Sequence, residues 1–402
     1  MKRSAVYNRK ILTGFLLTFV LACALSVCSP QAASSVPVKM ADSSIRLLRE
    51  ALRKAGRTKN VLISPDSVLT AVVMVENGAA RSTLSEMERA LGGISVNEYT
   101  RYLSGLHKRL TRSSSYSYLS ANSIWYKKAD ITLKKKYRQK MKSSFGAEVF
   151  GAAFNMDTVN RMNSWVSEHT RGKIPKIVNR LSPSDRVVVL NAVYFKGAWS
   201  EPYTGTQKRG FRKADGTLQK VNMLEGTEKS FVEINGAKGF VKRYRGGNIA
   251  FLALLPPKDT TVGSYLKKLT GADLISGYKN RREKNIIVYT RMPEFSYDFD
   301  MSMKAPLKRM GIKKAFSRDA ADFSKMSSQG IHIDDVIHKT HIDLTKEGTE
   351  AAAVTAVVMK VNSAFPISKP TIKRVYLNRP FVYAIIDTKT GIPLFLGVVN
   401  KV

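Results

Sequence analysis

Lys346-Glu347-Gly348-Thr349-Glu350-Ala351-Ala352-Ala353-Val354-Thr355-Ala356-Val357-Val358-Met359 is the stretch on which the reading of this chain turns. From Thr349 to Phe365 it has neither proline nor glycine, and Pro366 stops it. Taken at period two, Thr349, Ala351, Ala353, Thr355, Val357 and Met359 make a small, mostly apolar face, with Glu350 and Lys360 on the other side. The segment can therefore serve as a strand with one buried face. Local propensity favours a short Ala-rich helix instead, since Glu-Ala-Ala-Ala is a good helix former. The next residues, Asn362 to Thr371, are loosely patterned, include Ser, Pro and Lys, and read as an exposed loop. A strand-competent run beside a loop is either a hazard or a mechanism.

Working outward, the chain of 402 residues is long enough for one large domain or two ordinary ones. Lys2, Arg3, Arg9 and Lys10 precede an apolar run from Ile11 to about Cys28, and Ser-Pro-Gln-Ala-Ala comes after it. That order reads as an export signal spanning residues 1–33, with a retained anchor as the alternative. Both cysteines, Cys23 and Cys28, lie within it, so a mature chain would have no disulfide to form. Val20-Leu21-Ala22-Cys23 resembles a bacterial lipobox, which would place a lipid on Cys23. Cleavage near Ala33 would instead release a soluble protein. The expected location is thus secreted or on the cell surface as a lipoprotein.

The formal net charge is +35, and losing the four basic residues of 1–33 leaves +31. Such a balance predicts affinity for polyanions such as glycosaminoglycans or anionic lipid. Export and the lack of any finger, RNP or basic-zipper pattern argue against nucleic acid. Arg101, Lys108 and Arg112 fall on one side of a predicted helix over Glu98–Thr111 and are the candidate polyanion stripe. Their plainer reading is a solvated face.

After residue 33 no long linker or repeat appears, which favours one domain. Asp42-Ser43-Ser44 reads as the cap of a helix through Ala55. Pro65-Asp66-Ser67 opens an almost wholly apolar, hence central, helix to Asn77. Further helices are expected around Tyr137 and over Val159–Glu168 and Met303–Met310. Strands are expected at Ala121–Tyr126, Val187–Phe195, Ile249–Leu255, Ile286–Thr290, Phe381–Asp387 and Leu394–Val399. Helices dominate early and strands late, so the fold class is α+β with large mixed sheets.

The sequence offers little for catalysis. Ser276-x-x-Lys279 and Lys389-Thr390-Gly391 match parts of a penicillin-recognising pattern, but the Ser-Asp-Asn element is missing and the serine comes too late. The five histidines, His107, His169, His332, His338 and His341, lack a Cys or His at metal-ligand spacing. His332/Asp334/Asp335 reads as a solvated turn before a strand. No metal, cofactor or nucleotide is expected.

Several segments, in order, resemble one family. Asn60-Val61-Leu62-Ile63-Ser64-Pro65-Asp66-Ser67 is similar to the start of the serpins' central helix. Ala121-Asn122-Ser123-Ile124-Trp125 and Val189-Leu190-Asn191-Ala192-Val193-Tyr194-Phe195-Lys196-Gly197-Ala198-Trp199 look like two strands of their main sheet. Tyr376–Tyr383 with Pro393–Gly397 resembles their C-terminal signature, and Glu347–Ala353 their reactive-loop hinge. The resemblance, to an exported bacterial member, covers about residue 40 to the end.

It implies a serpin fold of about nine helices around three β-sheets, one domain over 34–402, and an exposed reactive loop at about 346–371. It also implies an inhibitor, not an enzyme. A protease attacks the loop, an acyl-enzyme forms, and the loop's hinge side inserts as a new strand and traps the protease. Serpin loop insertion is a general example of strand addition and of a strained switch. The hinge would be Lys346, Glu347, Gly348, Thr349, Glu350, Ala351, Ala352, Ala353 and Val354, the last bulkier than the usual pattern. Ser64, Ser67, Asn191 and His338 align with a polar cluster under the main sheet, although His338 alone reads as an ordinary core histidine. Trp199 aligns with the top of the sheet, where insertion begins.

The family usually has an acid where this chain has Lys346, and a base where it has Glu294, so a charge-swapped pair is expected. Family spacing puts the reactive bond at Asn362-Ser363. Register shifts of one or two put it after Val361 or Lys360. The three registers suit papain-like cysteine, elastase-like serine and trypsin-like serine proteases respectively, and elastase-like serine proteases are taken first. The other functions to weigh are a non-inhibitory serpin-fold protein and a polyanion-binding surface protein.

Overall fold

The computed structural model describes residues 35–350 and 369–402. Residues 1–34, with Cys23 and Cys28, and the positions Ala351, Ala352, Ala353, Val354, Lys360, Val361, Asn362 and Ser363, lie outside the described residues.

Among the described residues there are nine α-helices and three sheets. The helix Pro65–Glu76 is buried along all twelve residues, as its unbroken apolar run requires. Proline sits in its first turn, where no amide bond is lost, and Ser64 caps it by accepting from the Ser67 amide at 3.4 Å. One face of the strand Val187–Ala198 lies on this helix. Val188, Leu190 and Ala192 on its other face join Trp125, Met162 and Val166 in a second core beneath the helix Met156–His169. Burial on both faces explains why Val187–Phe195 is apolar without alternation.

The main sheet has the order Phe295–Ser302, Asp335–Leu344, Gly348–Thr349, Val187–Ala198, Tyr116–Lys127, Glu148–Ala152. A second six-stranded sheet contains the hairpin Phe381–Asp387 and Pro393–Val399, which brings the C-terminus beside Val61–Ile63. The third, four-stranded, contains Gly205–Arg212, Leu218–Glu228, Ile286–Pro293 and Thr371–Tyr376.

The first helix corrects the reading of Asp42-Ser43-Ser44 as a cap. It runs Val36–Ala55, with Pro37 in its first turn. The polar groups serve elsewhere: Ser44 donates to the Met40 carbonyl at 2.7 Å, and the Asp42 carboxylate accepts from the Gly271 amide at 2.5 Å. They are used inside the helix and across to its neighbour, which a cap pattern alone does not reveal. His332/Asp334/Asp335 is more built than a solvated turn. Asp334 accepts from the amides of Arg186 and Val187, clipping together the lower ends of two adjacent strands.

Candidate functional site

The site lies where the two central strands of the main sheet part. Val187–Ala198 and Asp335–Leu344 run parallel and pair directly from Val188↔Asp335 to Val193↔Thr340. Above that point the chain leaves Leu344, turns through 345–347 and comes back between them. Gly348 then pairs with Ala198 and Thr349 with Gly197 on one side, while Thr349 pairs with Leu344 on the other. The start of the quoted stretch is therefore a strand, not a helix, as far as it is described. Ladder partners distant in sequence override local propensity here.

The wedge is pinned on all sides. The Thr345 amide donates to the Gly348 carbonyl at 2.9 Å, closing the turn. The Trp199 amide donates to the Glu347 carbonyl and the Tyr203 amide to that of Lys346, at 2.9 and 3.0 Å. Trp199 Nε1 donates to the Thr345 carbonyl at 3.1 Å. Trp199 is fully buried and stacks on Tyr244, ring centroids 4.4 Å apart. Tyr244 in turn shares a 2.7 Å hydrogen bond with the Thr349 hydroxyl. Beneath them only glycine fits at Gly197, since a Cβ there would stand 2.8 Å from Phe195 and 3.0 Å from Tyr244.

Lys346 and Glu294 are not brought together. Lys346 Nζ lies 3.5 Å from Glu347, and the Glu294 carboxylate accepts from Asn222 at 3.0 Å. Instead of the expected charge-swapped pair, Lys346 meets its chain neighbour and Glu294 a neutral amide of the adjacent strand. The tight turn at Thr345 holds the Lys346 backbone and turns its side chain outward, more than half exposed.

Further down, Ser64, Ser67, Asn191 and His338 are brought into one buried cluster. His338 Nε2 accepts from the Ser64 amide at 3.0 Å, which makes Nδ1 the protonated nitrogen, donating to Asn191 Oδ1 at 2.9 Å. The Asn191 amide group donates to the Ser67 carbonyl at 2.9 Å and to Asn122 at 2.7 Å. Complete burial pulls the His338 pKa down to about 3, so the ring is neutral near pH 7. No sequence pattern gives Asn122 a role, although it lies within a quoted strand. A second buried polar group joins Asp66, accepting from Tyr118 at 2.6 Å, to His107 at 2.9 Å. Burial alone would lower the His107 pKa, but the charge and hydrogen bond of Asp66 outweigh it and raise it. No local pattern marks this trio, because its members are far apart in sequence.

Arg101 and Lys108 flank an open cleft of about 580 Å³ between the helices Val96–Leu110 and Lys135–Phe145, with Lys140 on the far side. Arg112 lies beyond the helix end, outside this lining. Burial, then Lys325 and Lys136, lowers the Lys140 pKa. Ser276 and Thr390, from the two enzyme-like motifs, donate to the Asp273 carbonyl and the Asp387 carboxylate, as turn and helix-end residues do.

The model of the serpin (serine protease inhibitor) family matches residues 39–402. The chain belongs to the serpin family. An uncharacterized serpin-like protein of Thermococcus kodakarensis is 31% identical over 353 residues, 85% of this chain and 81% of that protein. Leukocyte elastase inhibitor A of Mus musculus is 27% identical, covering 87% of this chain and 95% of that one. Among solved structures, the thermophilic serpin tengpin in its native state superposes with a TM-score of 0.84 at 36% identity, over 91% of this chain and 94% of that one. Tengpin in its latent state gives 0.78 at 34% identity, over 91% and 97%. This serpin, as described, is therefore more similar to the native form. The α+β serpin fold, nine helices around three sheets among the described residues, is as the sequence indicates. The family includes protease inhibitors and binds target proteases.

Proposed function

We propose that this serpin inhibits proteases as a suicide substrate, elastase-like serine endopeptidases first, and that the loop's hinge side enters the main sheet after cleavage. One observation carries the reading. Thr349 already occupies the first rung between two strands that are otherwise paired, and an Ala-rich, proline-free sequence lies beyond it. Extending that strand would replace a parallel ladder by two antiparallel ones and bury new apolar area, both favourable. The relative in Mus musculus named as an elastase inhibitor supports the target class. Export, as a secreted protein or through a lipid on Cys23, belongs to the same reading.

The test is incubation with elastase-like, trypsin-like and papain-like proteases, then denaturing gels and mass spectrometry of the cleaved loop. A covalent complex, with the loop cut after Val361, Lys360 or Asn362, is expected. Cleavage without a complex by every protease, and without a rise in thermal stability, would leave a non-inhibitory serpin. A second reading rests on the cleft beside Arg101 and Lys108: a polyanion such as a glycosaminoglycan binds there and brings inhibitor and protease together. Retention on heparin that persists near physiological salt and is lost in the Arg101/Lys108/Lys140 triple Ala variant is the expected result.

A further inference from the structure

The strand Gly348–Thr349 stops after two residues although the sequence beyond Thr349 remains strand-competent. The stop coincides with Glu350. This residue has φ +47°, in the left-handed region that a glutamate rarely adopts. Its amide still donates to the Asp343 carbonyl at 2.7 Å, so it is the last residue described as held by the sheet. Its side chain is only 4% exposed. The carboxylate meets two basic groups from opposite sides: Lys173 Nζ at 3.2 Å, from the turn after the helix Met156–His169, and His341 Nε2 at 3.1 Å, from the neighbouring strand. The other ring nitrogen of His341 lies 2.8 Å from Asp298 on the next strand. Asp298, His341, Glu350 and Lys173 thus form a chain of alternating acidic and basic groups across the mouth of the parted sheet.

We propose that Glu350 is a latch: its ion pairs with His341 and Lys173 hold the chain in the turned conformation and arrest the incoming strand at Thr349. Continuing the strand requires Glu350 to leave φ +47° for an extended value, which swings its carboxylate away from both partners. The arrest is then a charge-pair barrier. Burial alone would raise the Glu350 pKa, but its neighbours His341, Tyr194 and Lys173 outweigh it and lower it. The close approach of Glu350 is the main cause of the raised His341 pKa, although burial opposes it. The latch rests on the insertion reading above and adds what times it.

The test tracks the uncleaved protein at elevated temperature as it converts to a form resistant to urea on gradient gels, the mark of an inserted loop. Glu350→Ala, which removes both ion pairs, should convert at least roughly tenfold faster than wild type. Glu350→Gln, of the same shape, should fall between them. In Lys173→Ala the Glu350→Ala change should accelerate conversion much less. An unchanged or slower conversion in both Glu350 variants would overturn the latch. The insertion reading is judged separately, on the wild type: if cutting its loop does not raise its thermal stability, that reading fails whatever the variants do. A Glu350→Ala protein that does not fold is replaced by Glu350→Gln and Lys173→Ala, whose unaltered rates would equally overturn the proposal.

Discussion

The same two strands, Val187–Ala198 and Asp335–Leu344, are held in opposite ways at their two ends. Below, they pair directly over a dry cluster of neutral groups in which His338, Asn191, Ser64, Ser67 and Asn122 satisfy one another. Above, they are kept apart by the returning chain, held by a threonine hydroxyl, a stacked aromatic pair and ions at the rim. Buried neutral networks are all-or-none, because removing one member strands the others without partners. Ion pairs at a rim can be exchanged at modest cost. The difference teaches that, while the loop is uncut, this sheet is held shut below and is negotiable above.

The comparison breaks most visibly at Asn191. Asn191→Leu orphans His338 Nδ1 and the buried Asn122 side-chain oxygen, so urea unfolding should show a loss of about 3 kcal/mol.

Acid tests the same end. The folded His338 pKa, about 3, lies below the ordinary 6.5, so the neutral ring contributes stability that is complete above about pH 6.5 and is lost as pH falls toward 3. Between pH 7 and pH 4.5 stability should drop by roughly 2–3 kcal/mol from this group, and a His338→Gln variant should show a shallower slope.

At the upper end the effects should be smaller. Tyr244→Phe removes the 2.7 Å bond to Thr349 but keeps the stack on Trp199, and should cost about 1 kcal/mol in chemical unfolding. The smallest effect is expected at Lys346 and Glu294. Because each has its own neighbour, Lys346→Glu and Glu294→Lys should be additive, with a coupling below about 0.5 kcal/mol in a double-mutant cycle. A large restoring coupling would mean that the two charges meet in solution.

How legible an element is depends on what it needs from its own residues. The strands Ile249–Leu255 and Phe381–Asp387 can be read to the residue, because strands buried on both faces are apolar along their length, in the second up to its closing Asp387. The helix Arg81–Ala90 escapes such a reading. Its N-cap is Ala80, which offers no side-chain oxygen, and Arg81 enters it at φ +45°, so no starting signal exists. The strands Gly205–Arg212 and Leu218–Glu228 are largely exposed or half-buried, and their pairing with each other supplies what their patterns do not. At the site, the period-two pattern that starts at Thr349 pointed to the strand Gly348–Thr349, and family likeness gathered the polar cluster. The latch partner Lys173 could not be found that way, since it stands 177 positions before Glu350 and only the folded sheet brings the two together.

If the chain inhibits as proposed, the direct pairing between Val188↔Asp335 and Val193↔Thr340 also sets a clock. In the proposed inhibitor, a protease that has cut the loop is free to hydrolyse its acyl bond while those six pairs open one after another. A longer zipper would let more enzyme escape with the inhibitor spent; a shorter one would let the sheet open before any protease arrived. In that proposal the length of one parallel ladder fixes the odds in a race between unzipping and hydrolysis.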